Sequence, residues 1–239
     1  MTSGLQEIWV YLAASPLLAL TLTLIAYLGG LWLYRRSGQN PLVNPVLIAV
    51  VAIVGLLFAT GTGYRTYFDG AQFVHFLLGP ATVALAIPLY RQVQQVKKSL
   101  VAILVAVIGG SLTAAGSAVA IAWLLGASKQ TILSMAPKSV TAPVAMGIAE
   151  EIGGLPTLTA VVVILTGITG AMAATTVLRM LRIDDQRAGG LAIGVASHGI
   201  GTARAFQVGE VAGAFSGLAM GLNALATAIL IPVLFRLFS

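Results

Sequence analysis

The chain has 239 residues, of which 58% are hydrophobic, 8% are charged and none is cysteine. A soluble domain carries about 25% charged residues, so 13 Lys+Arg and 7 Asp+Glu are too few to coat a globule of this size. With a mean hydropathy of +0.98, this excludes a soluble enzyme, a disordered regulator and a disulfide-stapled secreted domain.

Lipid leaves two solutions, helices and closed barrels, because no water is there to satisfy a stray backbone group. Barrel strands alternate polar and apolar residues over about ten positions. The apolar runs here are about twice that long, the length a membrane-crossing helix needs. The expected fold is therefore an all-α membrane protein, a multi-span helical bundle filling residues 1–239 as one domain. Clean spans are read at 8–34, 42–60, 100–125, 158–181 and 208–238. The first is too long for a signal peptide and is expected to stay in the membrane.

Three further segments are interrupted. Residues 71–90 contain Gly79, Pro80 and Pro88; residues 132–148 contain Pro137, Lys138 and Pro143. Residues 191–206 are short and carry Ser197, His198, Thr202 and Arg204. Broken backbone at membrane depth is tolerated only where it lines protein or a cavity.

The net charge of +6 does not indicate nucleic acid, because the basic residues cluster at the ends of apolar runs. Arg35-Arg36, Arg91/Lys97/Lys98 and Arg179/Arg182/Arg187 follow the positive-inside pattern of cytoplasmic loops. Met1–Glu7 has no Lys or Arg, so the N-terminus is expected outside the cytoplasm. Keeping Arg179–Arg187 inside requires residues 132–148 to enter the membrane and return on the same side. A faint internal similarity lays Pro80 on Pro137, Thr82 on Ser139, Val83 on Val140 and Gly110 on Gly167. Between segments of opposite direction this is an inverted repeat, a design recurrent in secondary transporters.

The sharpest local feature is Ala136-Pro137-Lys138-Ser139-Val140-Thr141-Ala142-Pro143. Proline removes a backbone donor and breaks the helix. A half-helix starting here aims free N–H groups and a positive dipole end at its mouth. Lys138, Ser139 and Thr141 add one charge and two hydroxyls, a set suited to a carboxylate. Gly79-Pro80-Ala81-Thr82 forms a matching half-site with Thr82 as its side-chain donor. In Ser197-His198-Gly199-Ile200-Gly201-Thr202-Ala203-Arg204, a helix places His198 and Thr202 on one face. Arg204 is a second anchor or gate, and His198 a group able to move a proton. Glu150 and Glu151 can take part in coupling or pair with Lys138, although a solvated loop end before Gly153-Gly154 explains them slightly better. Asn44 and Asn223 read as helix–helix hydrogen bonds. No metal-ligand cluster, nucleophile elbow or P-loop is present, so neither a cofactor nor an enzymatic activity is expected.

These motifs resemble the LrgB family, also called the CidB/LrgB or YohK type. The likeness rests on Tyr67-Phe68-Asp69-Gly70-Ala71-Gln72-Phe73, on residues 77–90, on Pro137-Lys138-Ser139-Val140-Thr141-Ala142-Pro143 and on Ser197-His198-Gly199-Ile200-Gly201-Thr202-Ala203-Arg204. The resemblance implies one of two functions. One, which the residues above favour and for which they suggest proton coupling and alternating access, is transport of small monocarboxylates such as glycolate, glycerate or pyruvate, in line with the related plastidal glycolate/glycerate translocator. The other is holin/antiholin-like control of murein hydrolase export and lysis. It also implies an inner-membrane location, a small LrgA/CidA-like membrane partner and a homo-oligomer.

Overall fold

The computed structural model describes residues 16–238; the side chains of Pro16, His75 and Phe238 are outside that description. Met1–Glu7 and the start of the first expected span, residues 8–15, lie outside the described residues. The rest is helical, with no strand among the described residues. Helices at Leu17–Arg36, Tyr64–Arg91, Leu100–Leu124, Pro156–Met180 and Glu210–Leu237 are long and apolar enough to cross a membrane. Burial agrees with that reading. Phe58, Leu125 and Trp123 point outward at 85%, 81% and 68% exposure, while the interior is rich in alanine and serine. In lipid, helices associate through close packing of small residues and through hydrogen bonds, not through an aqueous hydrophobic effect.

The chain groups into two compact units, Met1–Ala84 and Leu85–Ser239. The first contains α1 (Pro16–Arg36), α2 (Pro45–Thr60) and α3 (Tyr64–Ala84). Asn44 is not a helix–helix tie. Its side chain accepts from the backbone N–H groups of Val46 and Leu47, capping α2. The cap and the left-handed Gly61 at the far end hold α2 to 16 residues. That is shorter than the run of about 20 a full crossing needs. The α3 helix continues through Pro80 without a break, so the expected half-helix at 79–82 does not form. Proline costs a helix one hydrogen bond, and here the helix absorbs it.

The second unit begins with α4 (Ala86–Arg91) and α5 (Val93–Lys98), then α6 (Leu100–Leu124). Next come α7 (Lys129–Met135) and α8 (Ala142–Glu151), then α9 (Pro156–Met180). Neither α7 nor α8 can cross a bilayer: at 7 and 10 residues they span about 10 and 15 Å. The chain turns back between them, so that the segment leaving α8 returns to the end of α7. Gly154, just past α8, packs its α-carbon against the backbone of Leu133 and Ser134 in α7. Leu155 N–H donates to Ser134 Oγ at 2.7 Å, and Thr159 Oγ1 donates to Ser134 O at 2.9 Å. The pair is a hairpin that enters and returns on the side where α6 ends and α9 begins. Its tip reaches mid-helix depth, since Ala136 and Val140 pack with Ala115 of α6 and Val163 of α9. This is the re-entrant path that the loop charges required.

A second hairpin follows. The helix α10 (Gln186–Val208) has non-helical φ/ψ of 41° and −134° at His198. In a straight helix Gly201 and Ile193 would lie about 12 Å apart along the axis, yet they touch, and Ala205 packs with Ile193. Residues 186–197 therefore go in and residues 199–208 come back, ending beside Gln186 at Gly209. From there α11 (Glu210–Phe238) runs alongside the first limb, with Ala212 against Gly190 and Ser216 against Gly194. The Asp185 carboxylate caps α10 through Arg187 N–H and grips the Arg187 side chain, which holds its pKa at about 2.

The inverted repeat is thus hairpin plus span, twice: Lys129–Met180 and Gln186–Phe238. It lies further along the chain than the sequence similarity suggested, because the break expected at Pro80 is at His198 instead.

Candidate functional site

The two hairpin tips meet inside the second unit. The first comprises residues 136–141, where Lys138 N–H reaches Met135 O at 3.2 Å and Val140 N–H reaches Pro137 O at 3.3 Å. Pro137, Ser139 and Val140 are buried, and Lys138 is half-buried with its Nζ donating to Ser139 Oγ at 3.3 Å. Thr141 occupies the N-cap position of α8 but its side chain makes no capping bond. The N–H groups of the first turn of a helix have no acceptor within it. Those of α8 therefore begin beside Lys138.

The second tip is Ser197-His198-Gly199. A φ of 41° is rare for any residue with a Cβ; such backbone costs about 1–3 kcal/mol and persists where surroundings enforce it. Here α9 enforces it. His198, 5% exposed, bonds through Nε2 to Val163 O at 2.9 Å. A carbonyl only accepts, so Nε2 carries the proton and Nδ1 the lone pair. Gly167 and Gly170 of α9 make room for this tip. A Cβ on Gly167 would sit 2.7 Å from the imidazole, and one on Gly170 would overlap Ser197 Oγ.

Thr202 lies one turn down the returning limb. Its Oγ1 donates to His198 O at 2.8 Å and therefore accepts from Ser216 Oγ of α11, 3.0 Å away. That bond pins the limb to α11. Arg204 is half-buried on the same limb, with Nη1 donating to Gln207 Oε1 at 3.0 Å.

Sequence reasoning assigned Asn223 a helix–helix bond, and it does bond. Its importance is in what it joins. From the middle of α11, 1% exposed, its Nδ2 donates to Ser139 O at 3.1 Å and Val195 O at 3.2 Å. One amide clasps both tips. A lone asparagine in a long apolar helix gave no sign of which elements it would tie. The carbonyl of Val163 and the α9 glycines also went unread as site components.

The structure therefore gathers Pro137, Lys138, Ser139, Thr141, Ser197 and His198, with Thr202 close behind. Lys138 and His198 stand on the two tips that Asn223 ties together. Pro80 and Thr82 belong to the first unit, where Thr82 is exposed and its hydroxyl donates to Leu78 O at 2.7 Å. Glu150 and Glu151 lie at the base of the first hairpin. Glu151 pairs with Arg236 at 3.0 Å and not with Lys138. No carboxylate occurs in residues 136–143 or 196–204.

Fold and site together define a helical membrane protein in which two re-entrant hairpins, entering from opposite sides, meet tip to tip around a lysine. The comparisons with known proteins give the family. The LrgB-like family profile matches residues 23–237, and the chain belongs to that family. It is 39% identical over 218 residues to an uncharacterised Bacillus subtilis protein, YwbG, covering 91% of this chain and 96% of that one. A Staphylococcus epidermidis protein named holin-like protein CidB is 38% identical over 84% of this chain and 87% of its own length. The Staphylococcus aureus protein of that name is 34% identical over 93% of this chain and 96% of its own. No solved structure matches.

Proposed function

We propose that the chain is a carrier of small monocarboxylates, proton-coupled and working by alternating access. The observation that carries this reading is the meeting of two hairpin tips around Lys138, with helix N-termini at both and no carboxylate in either. Charges at membrane depth are expensive and functional by default. Paired discontinuous helices are how secondary transporters build substrate sites. Lys138 holds the carboxylate, with Ser139, Thr141 and the first-turn N–H groups as donors. Coupling follows from charge. His198, on the facing tip, has Nδ1 as its available base. A carboxylate seated on Lys138 places an anion beside that base, and a proton taken up at Nδ1 accompanies it. Thr202 supports the tip, and Arg204 guards the limb leading to it.

The basic residues near the ends of α5, α9 and α10, namely Lys97, Lys98, Arg179, Arg182 and Arg187, share one face of the second unit. Lys129 and Arg236 are on the other. We place the first face in the cytoplasm and the protein in the cell's inner membrane. A homo-oligomer and a small LrgA/CidA-like membrane partner belong to this reading. The deciding experiment is uptake of glycolate, glycerate and pyruvate into proteoliposomes under an inward proton gradient, with and without that partner.

A second reading is holin/antiholin-like control of murein hydrolase export and lysis. The name carried by the Staphylococcus relatives supports it, and on the comparisons alone it stands ahead of the carrier. If no acid enters with or without the partner, while deletion of the chain changes hydrolase release, the second reading replaces the first.

A further inference from the structure

Between α4 and α6 the chain bends twice. Gln92 and Ser99, at φ of −100° and −109° with ψ of 7° and 12°, leave the helical path at either end of α5. Leading into this elbow, Leu85 packs at Gly217 of α11 and Arg91 pairs with Glu210 at 3.0 Å, so α4 lies antiparallel along the N-terminal half of α11. On the far side of the bend, Val96 packs on the buried cluster of Ile103, Val107 and Phe215. An open groove of about 310 Å³ remains, lined by Ala86, Leu89, Tyr90, Val93 and Val96. Its walls are hydrocarbon and one aromatic ring. Tyr90 is 78% exposed, and tyrosine is a side chain of the headgroup level in membranes. Lys97 and Lys98, both exposed, follow the last lining residue.

These two ammoniums have no counter-ion among the described residues. Residues 70–149 contain no Asp or Glu, and the ion pairs of the described residues go to Arg91, Arg187 and Arg236. Cytoplasmic loop charge accounts for two lysines at a helix end, but not for an apolar groove opening beside them. Together the features fit an amphiphile, with hydrocarbon in the groove and an anion on the lysines. We propose that the α4–α5 elbow binds one anionic phospholipid, an acyl chain filling the groove and the phosphate held by Lys97 and Lys98. Free phosphate lacks the chain that the groove would bury, and a zwitterionic lipid brings a cation of its own to the lysines. Long, flexible stems let both ammoniums turn to one phosphate, and basic pockets beside membrane helices recognise lipid headgroups in this way. The site shares no residue with the hairpin tips and stands apart from the carrier reading.

The test is native mass spectrometry of the purified full chain in detergent, titrated with phosphatidylglycerol or with phosphatidylcholine of the same acyl chains. Wild-type protein is expected to retain one phosphatidylglycerol roughly 10- to 30-fold more tightly than phosphatidylcholine, the effect of two lysines near a headgroup. Lys97→Gln with Lys98→Gln should bring that ratio to about one. Ala86→Phe fills the groove without touching the charges and should weaken phosphatidylglycerol retention about tenfold; Val93→Trp does the same should the first chain not fold. Removing an equal charge elsewhere, by Arg35→Gln with Arg36→Gln, should leave retention unchanged, and added inorganic phosphate should not displace the lipid. Equal retention of both lipids by wild-type protein overturns the proposal. So does undiminished retention in a folded groove variant, or a loss with the arginine pair as large as with the lysines, since the attraction is then diffuse charge. Displacement by inorganic phosphate overturns it as well, because the lysines then hold a free anion and the groove plays no part.

Discussion

Lys138→Ala removes the ammonium from the first hairpin tip and leaves the surrounding backbone its bonds. The side chain's hydrogen bond within the protein is the 3.3 Å contact with Ser139 Oγ, so expression and membrane insertion should be unaffected. The loss falls on the substrate. A hydrogen bond to a charged group contributes about 1.5–3 kcal/mol, roughly twice a neutral one. Lys138 is half-buried, which keeps its field from being fully screened. A loss of about 2–3 kcal/mol weakens the apparent affinity roughly 30- to 150-fold. Lys138→Arg keeps the charge but brings a planar fork between buried Pro137 and buried Ser139, and should also transport poorly. The assay is concentration-dependent uptake of a radiolabelled acid into proteoliposomes, with the reconstituted amount measured for each variant. Uptake by Lys138→Ala at wild-type rates and affinity would refute the placement of the anion at this tip. Lysis control through oligomer contacts predicts no such sensitivity at one half-buried position.

Gly170→Ala places a methyl group on Ser197 Oγ and should destabilise the second hairpin by about 1–3 kcal/mol; thermal unfolding in detergent reads this, and an unchanged midpoint argues against the packing described. Because the chain has no cysteine, single cysteines report sidedness directly. Cysteines at Lys129 and Gln186, at the mouths of the two hairpins, should label from opposite faces, the one at Gln186 from the cytoplasmic face. Lys129 and Gln186 labelling from one face contradicts the opposed hairpins.

What the sequence revealed depended on how strongly a residue constrains its own backbone. Long apolar runs identified the spans, and the two prolines around Lys138 identified the first hairpin tip, because proline acts locally. The same reasoning misled at Pro80, where α3 continues through the proline. The turn at His198 had no proline to announce it; Ser197, His198 and Gly199 suit a helix as well as a tip. Contacts with Val163, Gly167 and Gly170, far away in the chain, decide it. Asn223 was legible only as a polar residue in an apolar helix, since its role depends on two carbonyls that the sequence does not bring together.

The clasp has a consequence for how the protein is made. Ribosomal synthesis delivers the first hairpin and α9 well before the second hairpin, and α11 last of all. Until α11 enters the membrane, neither Ser139 O nor Val195 O has the Asn223 amide, and Thr202 lacks Ser216. Both tips then carry unsatisfied backbone in a nonpolar medium, where each such group costs several kcal/mol. Biogenesis should therefore pass through an intermediate whose hairpins remain unseated near the surface. The final helix closes the structure, and chains cut before residue 210 should be substrates for membrane quality-control proteases.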